Sequence, residues 1–368
     1  MHAEQDSIDA PIVSDLADWL VDHPAPSGAE LARAGYVVPH WPAPWGLGAA
    51  PAEQLAIDAL LREAAVRRPD NPIGIGWAGP TLLAAGTVEQ QRRWLPGLLS
   101  GDEFWCQLFS EPGAGSDLSA LSTQAVLDGD EWVVSGQKVW TSYAHRAQWG
   151  ILLARTNAEA ERHNGITYFI CPMDAPGVEV RPLVDMTGNH TFNEVFLDQV
   201  RIPVDHVVGE VDDGWRLAKV TLANERVSLS GEGLMWGMGP VIDDLVDLAR
   251  RVGVDAVGAA RVAALWSRAE TLRMLKLRLV GAVLAGRTPG PEASVRKALA
   301  DEVGQDAATL AMDLLGLGAL AGVLEPRDAM WSWCFLFSPS LTIGGGTSVV
   351  QRNIIAERVL GLPRDLEG

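Results

Sequence analysis

An α+β protein in three zones is what this 368-residue sequence predicts, and three observations carry that prediction. Residues 1–102 show helical spacing interrupted by Pro/Gly loops. Residues 103–212 switch to period-two alternation. Residues 213–368 return to long helical patterns. A β domain inserted between two helical zones is an uncommon order and therefore an informative one.

Each element follows from its local pattern. "SDLADWLVDH", "PAEQLAIDALLREAAVRR" and "VEQQRRWLPGLL" place apolar residues three and four apart and predict helices. "VVPHWPAPWGLGAAP" between them is a Pro- and Trp-rich loop. "STQAVLDGDEWVVSGQKVW" predicts two strands around a Gly-Asp turn. "WGILLART", "GITYFICPM", "GVEVRPL" and "FNEVFLDQVRIP" predict four more strands. Beyond them lie four helical patterns at 214–251, 255–286, 291–316 and 347–361. Long helices with short connections predict an antiparallel bundle.

Composition narrows the function. A net charge of −18 argues against nucleic acid and anionic membrane as partners, since both select basic surfaces. Cys106, Cys171 and Cys334 contain no CxxC pair, so structural zinc and a disulfide framework are not expected and a reducing cytoplasm is. The first thirty residues are acidic and lack the apolar core of a signal peptide. No apolar run reaches the length of a membrane span. The seven histidines show no metal-binding spacing, so no metal is expected.

Two stretches carry chemistry. In "WCQLFSEPGAGSDLSALSTQA" (105–125), Pro112, Gly113 and Gly115 force an irregular loop, with Ser110, Ser116 and Asp117 adding polar contacts. Such a loop frees backbone N–H groups and admits a flat or anionic ligand, though spacing alone is equally compatible with a plain turn. In "GQKVWTSYAH" (136–145), a Trp followed by two hydroxyl residues suits a stacking wall with donors, or a strand end with a buried Trp. A third stretch, "LTIGGGTSVVQRNIIAERVLGLPRD" (341–365), runs three glycines into a helix. Close ligand approach and a helix-start loop capped by Thr347 are both open.

Together these stretches resemble the acyl-CoA dehydrogenase family. The resemblance continues through "NEVFLDQVRIP", "VGEVDDGW", "LANERVSL" and "GTSVVQRNIIAERVLGLPR", and is clearest over 75–368. It implies an N-terminal helical domain, a middle β-barrel-like domain and a C-terminal four-helix bundle. It implies FAD as cofactor and an acyl-CoA thioester as substrate. A glutamate takes the α-proton, a β-hydride passes to flavin N5, and a 2-enoyl-CoA is released. By position, Gln107, Phe109, Ser110, Gly115, Ser116, Trp140, Ser142 and Thr347 are the implied cofactor contacts. Ser116, Arg226 and Gly345 are the implied substrate contacts. Hydrogen-bond donors at the pyrimidine end suit a reduced, anionic flavin.

Many family members carry Tyr-Glu-Gly-Thr where this chain has its glycines, and that glutamate is the base. Gly345 stands at the matching position and cannot accept a proton. A subset of the family carries the base on the long helix after the β domain, which matches Glu225, with Glu232 as the runner-up. The glycines then clear volume for a bulky acyl group, and desolvation raises the pKa of the base. "GEGLMWGMGP" (231–240) is the candidate for the opposite wall, or plain core.

The chain also departs from the family. Homo-oligomeric members bind the FAD pyrophosphate and adenine through a neighbour's Arg-x-x-Phe-Gly, a following Gln, and Gln-x-x-Gly-Gly-x-Gly. Here these become "ARRVGVDAVGAARVAALWSRAE" and "DLLGLGAL". The pattern resembles heterotetrameric (α2β2) actinobacterial enzymes that act on sterol side chains. It implies a paralogous partner subunit, a steroid-like acyl group, and an electron-transfer flavoprotein as acceptor. A non-catalytic partner subunit and an acyl-CoA oxidase of the same fold are the competing readings.

Overall fold

The computed structural model describes residues 11–228, 233–284, 290–320 and 325–364. The chain divides into two compact units. One runs to Leu183 and resumes over His190–Asn224; the other holds Val184–Asn189 and everything from Glu225 onward.

The first unit opens with helices α1 (Pro11–Asp22), α2 (Gly28–Arg33), α3 (Pro51–Glu63), α4 (Gly79–Ala85) and α5 (Val88–Ser100). Their ends are specified locally. Ser27 and Thr87 cap α2 and α5 through reciprocal bonds with Glu30 and Gln90, and Gly101 ends α5 in the left-handed region. The Pro- and Trp-rich stretch forms no helix, as its composition predicts. Helices α2 and α4 are additions to the sequence prediction; at six and seven residues they are too short to establish a period.

A seven-stranded sheet follows: β1 (Trp105–Leu108), β2 (Gln124–Asp128), β3 (Glu131–Ser142), β4 (Trp149–Arg155), β5 (Ile166–Pro172), β6 (Val178–Leu183) and β7 (Phe192–Pro203). Its order is β1-β4-β2-β3-β7-β6, with β5 also on β4. The β2–β3 hairpin closes at Asp128↔Glu131, and Gly129 supplies the positive φ that its turn needs. Strand β1 was hidden inside the 105–125 motif. It pairs in parallel with β4, placing Trp105 opposite Trp149 and Gln107 opposite Ile151. One sheet face shares a core with the N-terminal helices, through Trp105, Phe109, Leu153 and Tyr168. The other packs on itself around Cys106, Val134, Phe169 and Val195.

Helix α6 (Gly214–Ser228) starts in the first unit, and the division between the units falls at Glu225. The second unit then contains α7 (Ile242–Val252), α8 (Ala256–Leu284), α9 (Ala293–Leu315), α10 (Pro326–Phe337) and α11 (Ser348–Ile354). The single helix expected over 214–251 is two. Between them Met235 and Met238 bridge across a tight turn, with Trp236, Gly237 and Gly239 at positive φ and Pro240 following. Helix α10 was absent from the sequence prediction, since its run of Met, Trp, Cys and Phe gives no clear apolar stripe. No helix among the described residues is long and apolar enough to cross a membrane.

Candidate active site

The 105–125 motif leaves β1 and turns sharply. Glu111 and Ala114 exchange both backbone hydrogen bonds, each of 3.0 Å. A Cβ built on Gly113 or Gly115 would meet no atom within 4 Å, so the loop crest is open. Ser116 and Asp117 are exposed beside it, and Gln107 and Ser110 are half-buried. The Phe109 ring is only 1% exposed and packs edge-on against Tyr168 at 6.0 Å. Its ring is therefore core, and any ligand contact at this position falls to the backbone.

The base of the loop is pinned by a pair that the sequence reading passed over. Lys138 lies on β3 with no exposed surface. Its ammonium donates to Phe109 O (3.1 Å), Leu153 O (2.8 Å) and Glu111 Oε1 (2.8 Å), one acceptor for each N–H. Glu111 also accepts from Ser122 N (2.6 Å), Ser122 Oγ (2.7 Å) and Thr123 N (2.9 Å). Burial pushes the Glu111 carboxyl up, but Lys138 and these donors outweigh it and hold the carboxyl at about 2. Burial pulls Lys138 down to about 8 against the attraction of Glu111. The signal was present in the sequence as a charge inside each motif, but nothing there said that the two charges meet.

Trp140 stands next to this anchor. The β3–β7 register shifts between Lys138 and Thr141, and Trp140 sits in that irregularity at φ +59°. It is 62% exposed, touched edge-on by Phe192 at 6.0 Å. Leaving that much of an indole in water forgoes about 3 kcal/mol of burial. A strained, exposed Trp on a bulge fits a stacking wall and does not fit the buried strand-end reading. The hydrogen bond from Val139 N to Ser110 O, 2.9 Å, brings this wall against the glycine loop. Ser142 is half-buried and pairs with Phe192 at the strand's end. Exposed indole, open glycine loop and half-buried Gln107, Ser110 and Ser142 together suit one flat ring with a polar edge. These residues would hold the isoalloxazine of FAD.

In the second unit, Glu225 is 8% exposed, so it is not the solvated helix glutamate that its sequence neighbourhood also allowed. The backbone of Arg226 continues α6; Glu232 lies outside the described residues. The triple glycine resolves into distinct needs. A Cβ on Gly344 would come within 2.6 Å of Trp236 Cη2. Gly345 and Gly346 have φ of +63° and +89°. A Cβ on Gly346 would meet Gln351 Nε2 at 2.7 Å. The expectation that the glycines clear space for an acyl group is therefore corrected at two positions: Trp236 fills the space at Gly344 and Gln351 that at Gly346. Thr347 does cap α11, accepting from Val350 N at 3.3 Å. Met235 is fully buried core, and Trp236 is the glycine's packing partner.

The two segments matched to a neighbour's dinucleotide contacts do meet, lining a cleft of about 420 Å³ with Asp255, Arg261 and Asp313. Its positive features are already taken. Arg261 pairs with Asp313 at 2.6 Å, and Asp255 accepts from Gly258 N at 2.8 Å in the first turn of α8. An incoming pyrophosphate would meet carboxylates where it needs donors.

Comparison with known proteins places the chain in a family. The family model for the acyl-CoA dehydrogenase middle domain matches residues 106–200, and that for the C-terminal domain matches 212–360. The chain is 47% identical over 334 residues to acyl-CoA dehydrogenase FadE34 of Mycobacterium tuberculosis, covering 91% of this chain and 46% of that protein. It thus spans about half the length of that relative. It is 42% identical over 344 residues to acyl-CoA dehydrogenase IpdE1 of the same organism, covering 92% and 88%. Among solved structures, the Tcur3481-Tcur3483 steroid ACAD matches with a TM-score of 0.78 and 32% identity, over 92% of this chain and 88% of that one. The ChsE4-ChsE5 complex from M. tuberculosis matches with a TM-score of 0.77 and 33% identity, over 92% and 89%.

Proposed function

The chain belongs to the acyl-CoA dehydrogenase family, oxidoreductases acting on CH–CH donors, and from that premise we propose that it catalyses the α,β-dehydrogenation of an acyl-CoA thioester to the 2-enoyl-CoA. FAD, when bound, supplies the hydride acceptor. Glu225 removes the α-proton as general base, and the C–C bond becomes C=C as the β-hydride departs. Trp140 would stack on the ring, and Gln107, Ser110, Ser142, Gly115 and Thr347 would hold its polar edge and dinucleotide arm. Ser116, Arg226 and Gly345 contact the thioester. The carrying observation is a buried carboxylate at 225 in a chain whose other base position, 345, has no side chain.

The partner is a paralogous subunit that completes the dinucleotide end. The cleft at Asp255, Arg261 and Asp313, where the Arg261 guanidinium is already paired with Asp313, supports this. So do relatives that carry two names in one complex, and one about twice the length of this chain. The acyl group is steroid-like, as in the steroid ACAD neighbour, and an electron-transfer flavoprotein is the acceptor. A non-catalytic partner subunit is the second reading, favoured by Gly345.

One experiment separates them. The chain is purified alone and with its nearest paralogue, flavin is read near 450 nm, and Glu225→Gln is assayed in the flavin-loaded form. Loss of general-base catalysis lowers kcat by about 10²–10⁴ and abolishes exchange of the α-proton with solvent. Near wild-type turnover in folded, flavin-loaded Glu225→Gln removes Glu225 from the chemistry.

A further inference from the structure

A stretch of three glycines has no side chains with which to hold itself in place, and glycine loses more backbone freedom on ordering than any other residue. Yet every carbonyl of Gly344–Gly346 is engaged. Lys297, on α9 and 4% exposed, donates to Leu341 O (2.9 Å), Gly344 O (2.9 Å) and Gly346 O (3.0 Å). Asp301, one turn along and 1% exposed, lies 2.6 Å from the same ammonium. Gln351, fully buried on α11, donates to Gly345 O (2.9 Å) and Gly346 O (3.2 Å). Trp236 closes over the Cα of Gly344.

We propose that Lys297 is a positioning residue, which with Gln351 clamps the Gly344–Gly346 backbone and so sets the shape of the acyl side of the site. A buried ion pair contributes little net stability compared with apolar residues of the same volume, so stability alone does not account for Lys297–Asp301. Its geometry supplies a purpose. A charged donor at the centre of the Leu341, Gly344 and Gly346 carbonyls orients three peptide planes, which no side chain of the glycine loop itself does. The role on the substrate rests on the proposed acyl-CoA reading, with Gly345 as a substrate contact; the clamp itself does not.

The test uses the flavin-loaded enzyme with whatever partner it requires, comparing wild type with Lys297→Met. Gln351→Leu, which removes only the second arm of the clamp, serves if Lys297→Met does not fold. Amide exchange over 341–351 is expected to speed up by about tenfold or more. KM for octanoyl-CoA or a steroid carboxyl-CoA thioester is expected to rise about tenfold, with kcat within about threefold and flavin absorbance retained. A purely structural residue would lower flavin content and kcat together. Exchange within twofold of wild type overturns the clamp. Faster exchange with unchanged KM overturns the positioning role. If wild type turns over neither thioester, the functional reading has failed, and exchange alone decides the clamp.

Discussion

Two glycine-rich loops, 112–117 and 344–346, carry the same sequence signal for opposite physical reasons. Around Gly113 and Gly115 the space that a side chain would take is open. Around Gly344 and Gly346 it is filled by Trp236 and Gln351. The first loop is anchored at its base, where Lys138 grips the carbonyl of Phe109 and the carboxylate of Glu111, and at its end, where Asp117 accepts from Ser119 Oγ. The second is held along its length, with Lys297 and Gln351 on every glycine carbonyl. Both use a buried lysine ammonium as anchor. Glycine gives access in one loop and close packing in the other, and only the neighbours tell which.

Removing the anchor of the open loop gives the largest expected effect on stability. Lys138→Met strips the cation from a buried carboxylate and costs about 3–5 kcal/mol, read as a fall in the denaturation midpoint with weaker flavin retention. A related change appears in acid. Glu111 has its folded pKa depressed to about 2 from 4.5, so its contribution is present above pH 4.5 and is lost as pH falls toward 2. Glu111→Gln should flatten that part of the stability profile. An unchanged slope would mean that the pair does not govern the loop.

The comparison sharpens with matched alanines. Gly344→Ala drives a methyl into the Trp236 ring and is expected to cost about 1–3 kcal/mol, whereas Gly115→Ala meets nothing and should stay within about 0.5 kcal/mol. Equal costs at the two positions would erase the distinction. Smallest in stability is Trp140→Ala, within about 0.5 kcal/mol because the ring is exposed, yet flavin affinity should drop measurably. Full flavin retention in this variant would remove Trp140 from the cofactor wall.

Much of this was legible in the sequence. Period two over 122–203 located most strands of the sheet, and Asp128-Gly129-Asp130 announced its first hairpin, because alternation and turn chemistry are local properties. β1 escaped because four residues before an irregular loop establish no period. α10 escaped because its apolar residues do not fall on one stripe. The break after α6 is written in Gly231, Gly233, Gly237, Gly239 and Pro240, but strong helical spacing on either side masks it.

The sequence by itself determined the α–β–α order, the family, and the absence of a carboxylate at 345 with one present at 225. These depend on residue identity and short-range spacing. Tertiary structure alone decided that Glu111 meets Lys138, 27 residues away, and that Lys297 reaches Gly346 across 49. It also decided that Trp140 stands in solvent while Trp236 lies on a glycine. A lone charge or a Trp in a sequence is compatible with surface or core; which one it takes is fixed by partners brought from far along the chain, where desolvation makes an unmatched polar group costly.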